Sequence, residues 1–412
     1  MIFALLFVLA AQGCSSAPKP LPEPSAEPTQ TAESPSEEPF ATPYEIVTFA
    51  PTEEPTPAPT EDPVLAAAIA AALDGMTMEE KVGQLVMFSF DGRGGISPAF
   101  IELIDKYPVG NVLFSGLSMD KNDGSGGFDS AAGYVKELET KHPCPVPRLF
   151  AVDAEGGSVV RFKWEPAIPS AYELSRKSPE EVRELFRGVG EKLRSCGINL
   201  DLAPVCDIAE DPLATSIGDR IFSSDLETVN SMTAAVIGGL HEGGCSSCAK
   251  HFPGHGATEE DSHKGTPVVS KSASELYDYD IAAFASAIEA GADCVMAAHV
   301  LYPAFDEGDI ASMSHIILTG LLRGELRFRG VIISDDMMME GLTSSYPLSE
   351  AALKFILSGG DMLLCSGDAA AQEEILLALY HSCETRIITE ERLNASVTRV
   401  LKLKYERGVW QP

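Results

Sequence analysis

The stretch Cys248-Ala249-Lys250-His251-Phe252-Pro253-Gly254-His255-Gly256 runs a short apolar strand into a loop crowded with titratable side chains, and Asp261-Ser262-His263 follows closely. Pro253 removes a backbone donor, and Gly254 and Gly256 admit dihedrals closed to other residues, so the loop should be irregular rather than helical. Three histidines, a lysine and three acids fall within the 14 residues from Lys250 to His263. A loop of that kind builds core poorly and suits binding or proton transfer.

The same plan, a buried strand ending in polar side chains, recurs along the chain. Apolar runs of strand length occupy Gln84 to Phe88, Val109 to Phe114, Arg148 to Asp153, Asn199 to Cys206, Cys248 to Phe252, Cys294 to His299, Gly330 to Asp335 and Asp361 to Ser366. Helical patterns separate them, as in Pro179 to Arg194, Leu226 to Glu242, Ser272 to Gly291, Ile316 to Leu326 and Glu350 to Leu357. Gly110, Gly197, Gly291, Gly330 and Gly360 precede strands, as glycine helix stops ahead of buried parallel strands would. Eight such units across residues 63–412 predict a single (β/α)8 barrel. An open doubly wound sheet is the alternative, but no Gly-rich phosphate loop anchors one. Asp153, Asp207, Lys250, His251, His299 and Asp335 all sit at predicted strand C-termini, the end at which a barrel carries its active site.

Ahead of this domain the chain has another character. Met1 to Ala11 is an apolar run too short to span a membrane, fitting a secretory signal over residues 1–13. Gly13-Cys14 resembles a bacterial lipoprotein processing site, which makes Cys14 the lipidated first residue of the mature protein. Residues 14–62 read as a disordered linker. Thirteen prolines between Ala17 and Pro63 favour extended polyproline II, and ten acids against Lys19 leave little apolar surface to bury. The expected location is outside the cytoplasm, anchored to the membrane only through lipid, or secreted. A net charge of −31 argues against a nucleic-acid partner, since no basic stripe exists to neutralise phosphates. The eight cysteines beyond Cys14 sit largely in apolar runs and are expected as buried thiols, Cys245-Ser-Ser-Cys248 included.

Each strand-end motif has a chemical reading beside a structural one. In Ile332-Ile333-Ser334-Asp335-Asp336, strand alternation sends Asp335 and Asp336 to opposite sides. Asp335 is the candidate nucleophile and Asp336 the structural acid. In Asp153-Ala154-Glu155-Gly156-Gly157, with Arg161 beyond, Asp153 is placed to bind adjacent sugar hydroxyls, and Glu155 stays open between binding and structure. Arg220, after the Gly218 turn, is a ligand contact or a surface ion pair. His251 and His255 are four apart, but Pro253 and Gly254 break any shared helical face, so no metal site is expected from them with Asp261 and His263.

Taken in order, Asp153-x-Glu155-Gly-Gly, Gly218-Asp-Arg220, Lys250-His251-Phe-Pro-Gly-His255-Gly, Asp261-Ser-His263, Ala298-His299-x-x-Tyr302-Pro and Ser334-Asp335-Asp336 resemble glycoside hydrolase family 3, in its β-N-acetylglucosaminidase branch. The resemblance extends from about Met76 to the end and leaves no room for a second α/β domain. It implies a retaining exo-enzyme that releases terminal β-linked GlcNAc, from peptidoglycan fragments or chitin oligosaccharides, as a monomer and without cofactor. It implies Asp335 as nucleophile, His263 partnered by Asp261 as general acid/base, and sugar contacts from Asp153, Arg220, Lys250 and His251. Two residues apart on an extended loop, Asp261 and His263 can face the same way, so the carboxylate can orient the imidazole and favour its charged form. Ser158 and Met337-Met338 depart from the family pattern, the first where arginine is frequent. A phosphorylase, with phosphate replacing water, is the neighbouring alternative; a lipoprotein that binds sugar or metal without turnover is the distant one.

Overall fold

A computed structural model describes residues 62–258 and 266–412. The expected leader, Cys14, the linker up to residue 61, and the Asp261–His263 pair lie outside the described residues.

Eight strands appear where apolar runs predicted them: β1 Val86–Ser89, β2 Asn111–Phe114, β3 Leu149–Val152, β4 Leu200–Asp201, β5 Ser246–Phe252, β6 Cys294–Ala297, β7 Val331–Ser334 and β8 Leu363–Cys365. Each neighbouring pair is parallel, and β8 returns to β1 with Val86 opposite Leu363. Between β7 and β8 the ladder thins to the Ile333–Met362 bridge and a 2.9 Å bond from the Ser334 amide to the Met362 carbonyl. The barrel is therefore nearly closed.

Both strand faces are buried, which is why the strands read as continuous apolar runs rather than alternating ones. Met87, Leu113, Leu149, Ala151, Cys248, Met296, Val331 and Ile333 fill the barrel interior. Their neighbours Phe88, Val112, Phe150, Val152, Val295 and Ile332 pack outward against the helices. The helix Pro179–Ser195 begins in a full capping box of Ser178 with Glu181, and Leu226–Glu242 begins on the side chain of Asp225.

Three details differ from expectation. The fourth strand is only Leu200–Asp201, because Pro204 has no amide to continue the ladder that Asn199 to Cys206 promised. Gly197 and Gly291 are left-handed helix stops (φ 89° and 93°), but Gly110 and Gly330 serve close approach instead. A Cβ on Gly330 would lie 2.1 Å from the Asp293 carbonyl oxygen. The segments Leu276–Ile281 and Ile316–Glu325 are wound as π-helix, which period-3.6 reasoning did not foresee. The eight described cysteines are unpaired thiols, six of them buried. Burial pushes the Cys245 and Cys248 thiols up, the reverse of an activated redox pair.

Candidate active site

The alternation that fills the barrel also aims its chemistry. Leu149 and Ala151 point inward on β3, so Asp153 continues into the mouth; Val331 and Ile333 do the same for Asp335 on β7. On β5 the ladder to β6 slips between Ala249 and Phe252. Such a bulge re-aims side chains, and the neighbours Lys250 and His251 both line the cavity at the C-terminal end of the strands. That cavity has a volume of about 790 Å³ and also takes in Asp153, Arg220 and Asp335.

A continuous chain of charged contacts forms one wall. The ammonium of Lys250 lies 2.9 Å from Asp153 and 2.6 Å from Glu155. Arg161 donates to the other Asp153 oxygen at 2.9 Å, while Arg220 grips Glu155 through two bonds of 2.8 and 2.9 Å. Arg220 also reaches His251 Nε2 at 3.2 Å, and His251 Nδ1 faces Asp207 at 2.8 Å. The second oxygen of Asp207 accepts the amides of His251 and His255 at 3.2 and 2.7 Å. Both ring nitrogens of His251 are thus occupied. Among the described residues no set of three or more His, Cys, Asp or Glu side chains is arranged to hold a metal ion.

Burial by itself would neutralise these groups, but their partners overrule it. Desolvation raises Asp153, yet Lys250 and Arg161 hold it well below the usual carboxylate range. Glu155 is likewise held down against burial by Arg220 and Lys250, and those two acids keep the buried Lys250 charged. Asp201, beneath them, has no such partner. Among the described residues its hydrogen bond is from the Ala154 amide at 2.9 Å, and burial lifts it to about 8.

Asp335 is the exception among the mouth carboxylates. Burial pushes it up, but the fields of His251, His299 and Lys250, with the Asp336 amide, bring it below its ordinary value. Its contact is that amide, at 2.8 Å; among the described residues no cation binds it directly. An ionised carboxylate with an oxygen left free in a walled cavity is equipped to attack an electrophilic carbon.

The sequence-predicted residues Asp153, Arg220, Lys250, His251 and Asp335 therefore come together, while Asp261 and His263 lie outside the described residues. Asp336, expected on the opposite side, also lines the cavity, but its carboxylate is engaged: it accepts the amides of Ser366 at 3.0 Å and Met338 at 3.1 Å and so fastens the turn after β7 to the end of β8. Glu155 resolves into the buried acid that sets Arg220 and Lys250. The roles of Asp207 and Arg161 as holders of His251 and Asp153 were not legible beforehand, because each partner lies a loop or more away. Ser158 is exposed.

The family model for the glycosyl hydrolase family 3 N terminal domain matches residues 77–403. A β-hexosaminidase A from Pseudoalteromonas piscicida is 27% identical over 368 residues, covering 80% of this chain and 61% of its own. A β-hexosaminidase from Idiomarina loihiensis is 35% identical over 244 residues, 58% of this chain and 73% of its own. The solved family 3 β-N-acetylglucosaminidase from Paenibacillus sp. str. FPU-7 superposes with a TM-score of 0.76 at 34% identity, covering 81% of this chain and 63% of that one. The chain thus spans less than two thirds of the length of the Pseudoalteromonas and Paenibacillus proteins. By the extent of the family match and the barrel beneath it, this chain belongs to glycosyl hydrolase family 3.

Proposed function

We propose that the protein is a retaining exo-β-N-acetylglucosaminidase acting through a covalent intermediate on Asp335. One observation carries this reading: a charged carboxylate with a free oxygen lies in the same cavity as the Asp153–Lys250–Glu155–Arg220–His251 network. The members of the network hold one another by direct hydrogen bonds and ion pairs, so little reorganisation is needed when a sugar ring is held against Asp335. An Asp335 oxygen attacks the anomeric carbon as the glycosidic bond breaks, and His263 gives its proton to the leaving oxygen. Water then attacks the same carbon, returns a proton to His263 and releases Asp335. Asp261 orients His263. Asp153, Arg220, Lys250 and His251 bind the terminal sugar. No step draws on a metal or organic cofactor. The names of the β-hexosaminidase relatives support β-linked GlcNAc as the sugar recognised. The natural substrates under this proposal are GlcNAc-ended fragments of peptidoglycan or chitin, met outside the cytoplasm by a monomer tethered through lipid on Cys14.

The test is release of nitrophenol from an aryl β-GlcNAc by the purified protein, with and without inorganic phosphate, together with peptide mapping after a mechanism-based fluorosugar. Turnover without phosphate and a label on Asp335 are expected. Turnover only with phosphate would make the enzyme a phosphorylase, and a label elsewhere would remove Asp335 from the mechanism.

A further inference from the structure

A second cavity, of about 650 Å³, opens between the loop after β2, the segment Lys163–Ile168 and the helix Pro179–Ser195. It shares no lining residue with the catalytic cavity. Phe128, Trp164, Ile168, Leu185 and Val189 give it an apolar lining. The indole is held in place: Phe128 stacks on Phe162 at 4.2 Å and takes Trp164 edge-on at 5.1 Å.

Its charge runs against that of the molecule. The chain carries a net −31, yet the lining holds Lys121, Lys163 and Lys192 against Glu165 alone. Lys163 faces Glu165 at 3.3 Å; Lys121 and Lys192 have no carboxylate partner among the described residues. The ammonium of Lys192 sits 4.5 Å over the Phe128 ring. The surrounding loops have a fixed shape. Asp123 gathers the amides of Ser125, Gly127 and Ser130 at 2.8 to 3.0 Å, and the Lys163 amide ties the two loops together on the Gly126 carbonyl at 2.9 Å.

Gly188 is the most telling residue. It stands inside the helix Pro179–Ser195, where glycine is less stable than alanine by roughly 0.5–1 kcal/mol. No neighbour excludes a side chain, for a Cβ built there meets nothing within 4 Å. Packing therefore does not require this glycine. Its effect is to leave the cavity open on its helix side.

We propose that this cavity is an accessory carbohydrate site, which holds a pyranose bearing a carboxylate or phosphate at a distance from catalysis. The indole and its apolar neighbours suit the ring, and the unpaired ammonium groups suit the anion. The choice of a sugar over an aromatic anion rests on the glycosidase reading.

The catalytic cavity contains no tryptophan, and the chain has two, Trp164 and the buried Trp410. Indole fluorescence therefore separates the sites. The full-length protein would be titrated with N-acetylmuramic acid, N-acetylglucosamine 6-phosphate, N-acetylglucosamine and adenosine monophosphate. Either anionic sugar should quench at concentrations at least about tenfold lower than the neutral sugar, and the advantage should shrink as salt rises. The stronger of the two anions tells carboxylate from phosphate. Gly188→Met should fill the cavity and remove the quench without lowering Tm, and the paired change Lys121→Met with Lys192→Met should remove the preference for anions. Equal response to neutral and anionic sugars, tighter response to adenosine monophosphate, or an unaltered quench in Gly188→Met would each overturn the proposal. Aryl β-GlcNAc turnover reports on the other cavity: its absence beside an intact quench sinks the glycosidase reading and leaves this site standing.

Discussion

The two ends of the barrel use the same residue types in opposite ways. At the N-terminal end, Asp361 is wrapped by Arg323, by Arg399 at 2.9 Å, by the Ser396 hydroxyl at 2.6 Å and by the Ile332 amide at 3.0 Å. Asp293 is held similarly, by His241 at 2.7 Å, the Ser247 amide at 2.9 Å and Arg407. Lys404 is buried against Gln84 Oε1 at 2.6 Å and the Gly110 carbonyl at 3.0 Å. There the polar partners converge on one another, and the charges fasten helices to strand starts. At the C-terminal end the charges of the Asp153–His251 wall are equally well paired but border open space, and Asp335 keeps an oxygen with no partner among the described residues. A buried ion pair that fills its own volume is scaffold; one that borders a cavity is a binding wall.

The largest expected effect breaks this contrast at the open end. Asp335→Ala should lose on the order of 10⁴-fold or more in turnover. The melting temperature should hardly move, because no cation is left unpaired. A variant that keeps substantial aryl-GlcNAc activity would transfer the nucleophile to another residue.

His263→Ala ranks next, and its value lies in the ratio between substrates. An acidic aryl leaving group needs little protonation, whereas a sugar oxygen needs it badly. Cleavage of GlcNAc oligosaccharides should fall about 10²–10⁴-fold further than cleavage of aryl GlcNAc. Azide should partly restore turnover of the covalent intermediate, being a nucleophile that needs no base. Equal losses on both substrates, with no azide effect, would make His263 a binding residue.

The open end was also the more legible in the sequence, for a physical reason. Strand ends are set by local pattern, so Asp153, Lys250 and Asp335 could be placed at the mouth from their own strands alone. Glu155 and Asp207 act through partners 65 and 44 residues away, Arg220 and His251, and no local pattern reveals such pairs. Asp361 was read only as a strand start, since its three arginines come from two separate later or earlier segments. The hairpin Ala154–Gly156 with Val159–Val160 escaped notice because its residues are too few for periodicity. Glycines misled where size, not φ, was the requirement, as at Gly330.

At the closed end, Asp361→Ala should cost about 3–5 kcal/mol, the usual penalty for stranding a buried partner, here Arg323 with Arg392 and Arg399 nearby. Urea unfolding would show the lower midpoint, while kcat per folded molecule should stay near that of the parent. A loss of turnover without a loss of stability would erase the distinction between the two ends.

The smallest and most specific effect concerns Lys404. Burial pulls its ammonium from the ordinary 10.5 down to about 7. In the unfolded chain the same group keeps its proton to about 10.4. Below pH 7 both states hold the proton and the folded state bears the full desolvation cost. As pH climbs from about 7 toward 10.5 the unfolded state binds more protons, so folding is favoured increasingly, and the gain is complete above that window. The slope from this one group is at most about 1.4 kcal/mol per pH unit. Buried thiols titrate in the same range with the opposite sign, so the measurement must be a difference. The stability of the parent minus that of Lys404→Met should be flat below pH 7 and rise through pH 8 and 9. Removing the ammonium also leaves the Gln84 and Gly110 oxygens unpaired, a cost that is independent of pH and shifts the whole curve without bending it. A pH-independent difference would mean that Lys404 stays charged in the barrel floor, and that this end tolerates an ammonium as readily as the mouth does at Lys250.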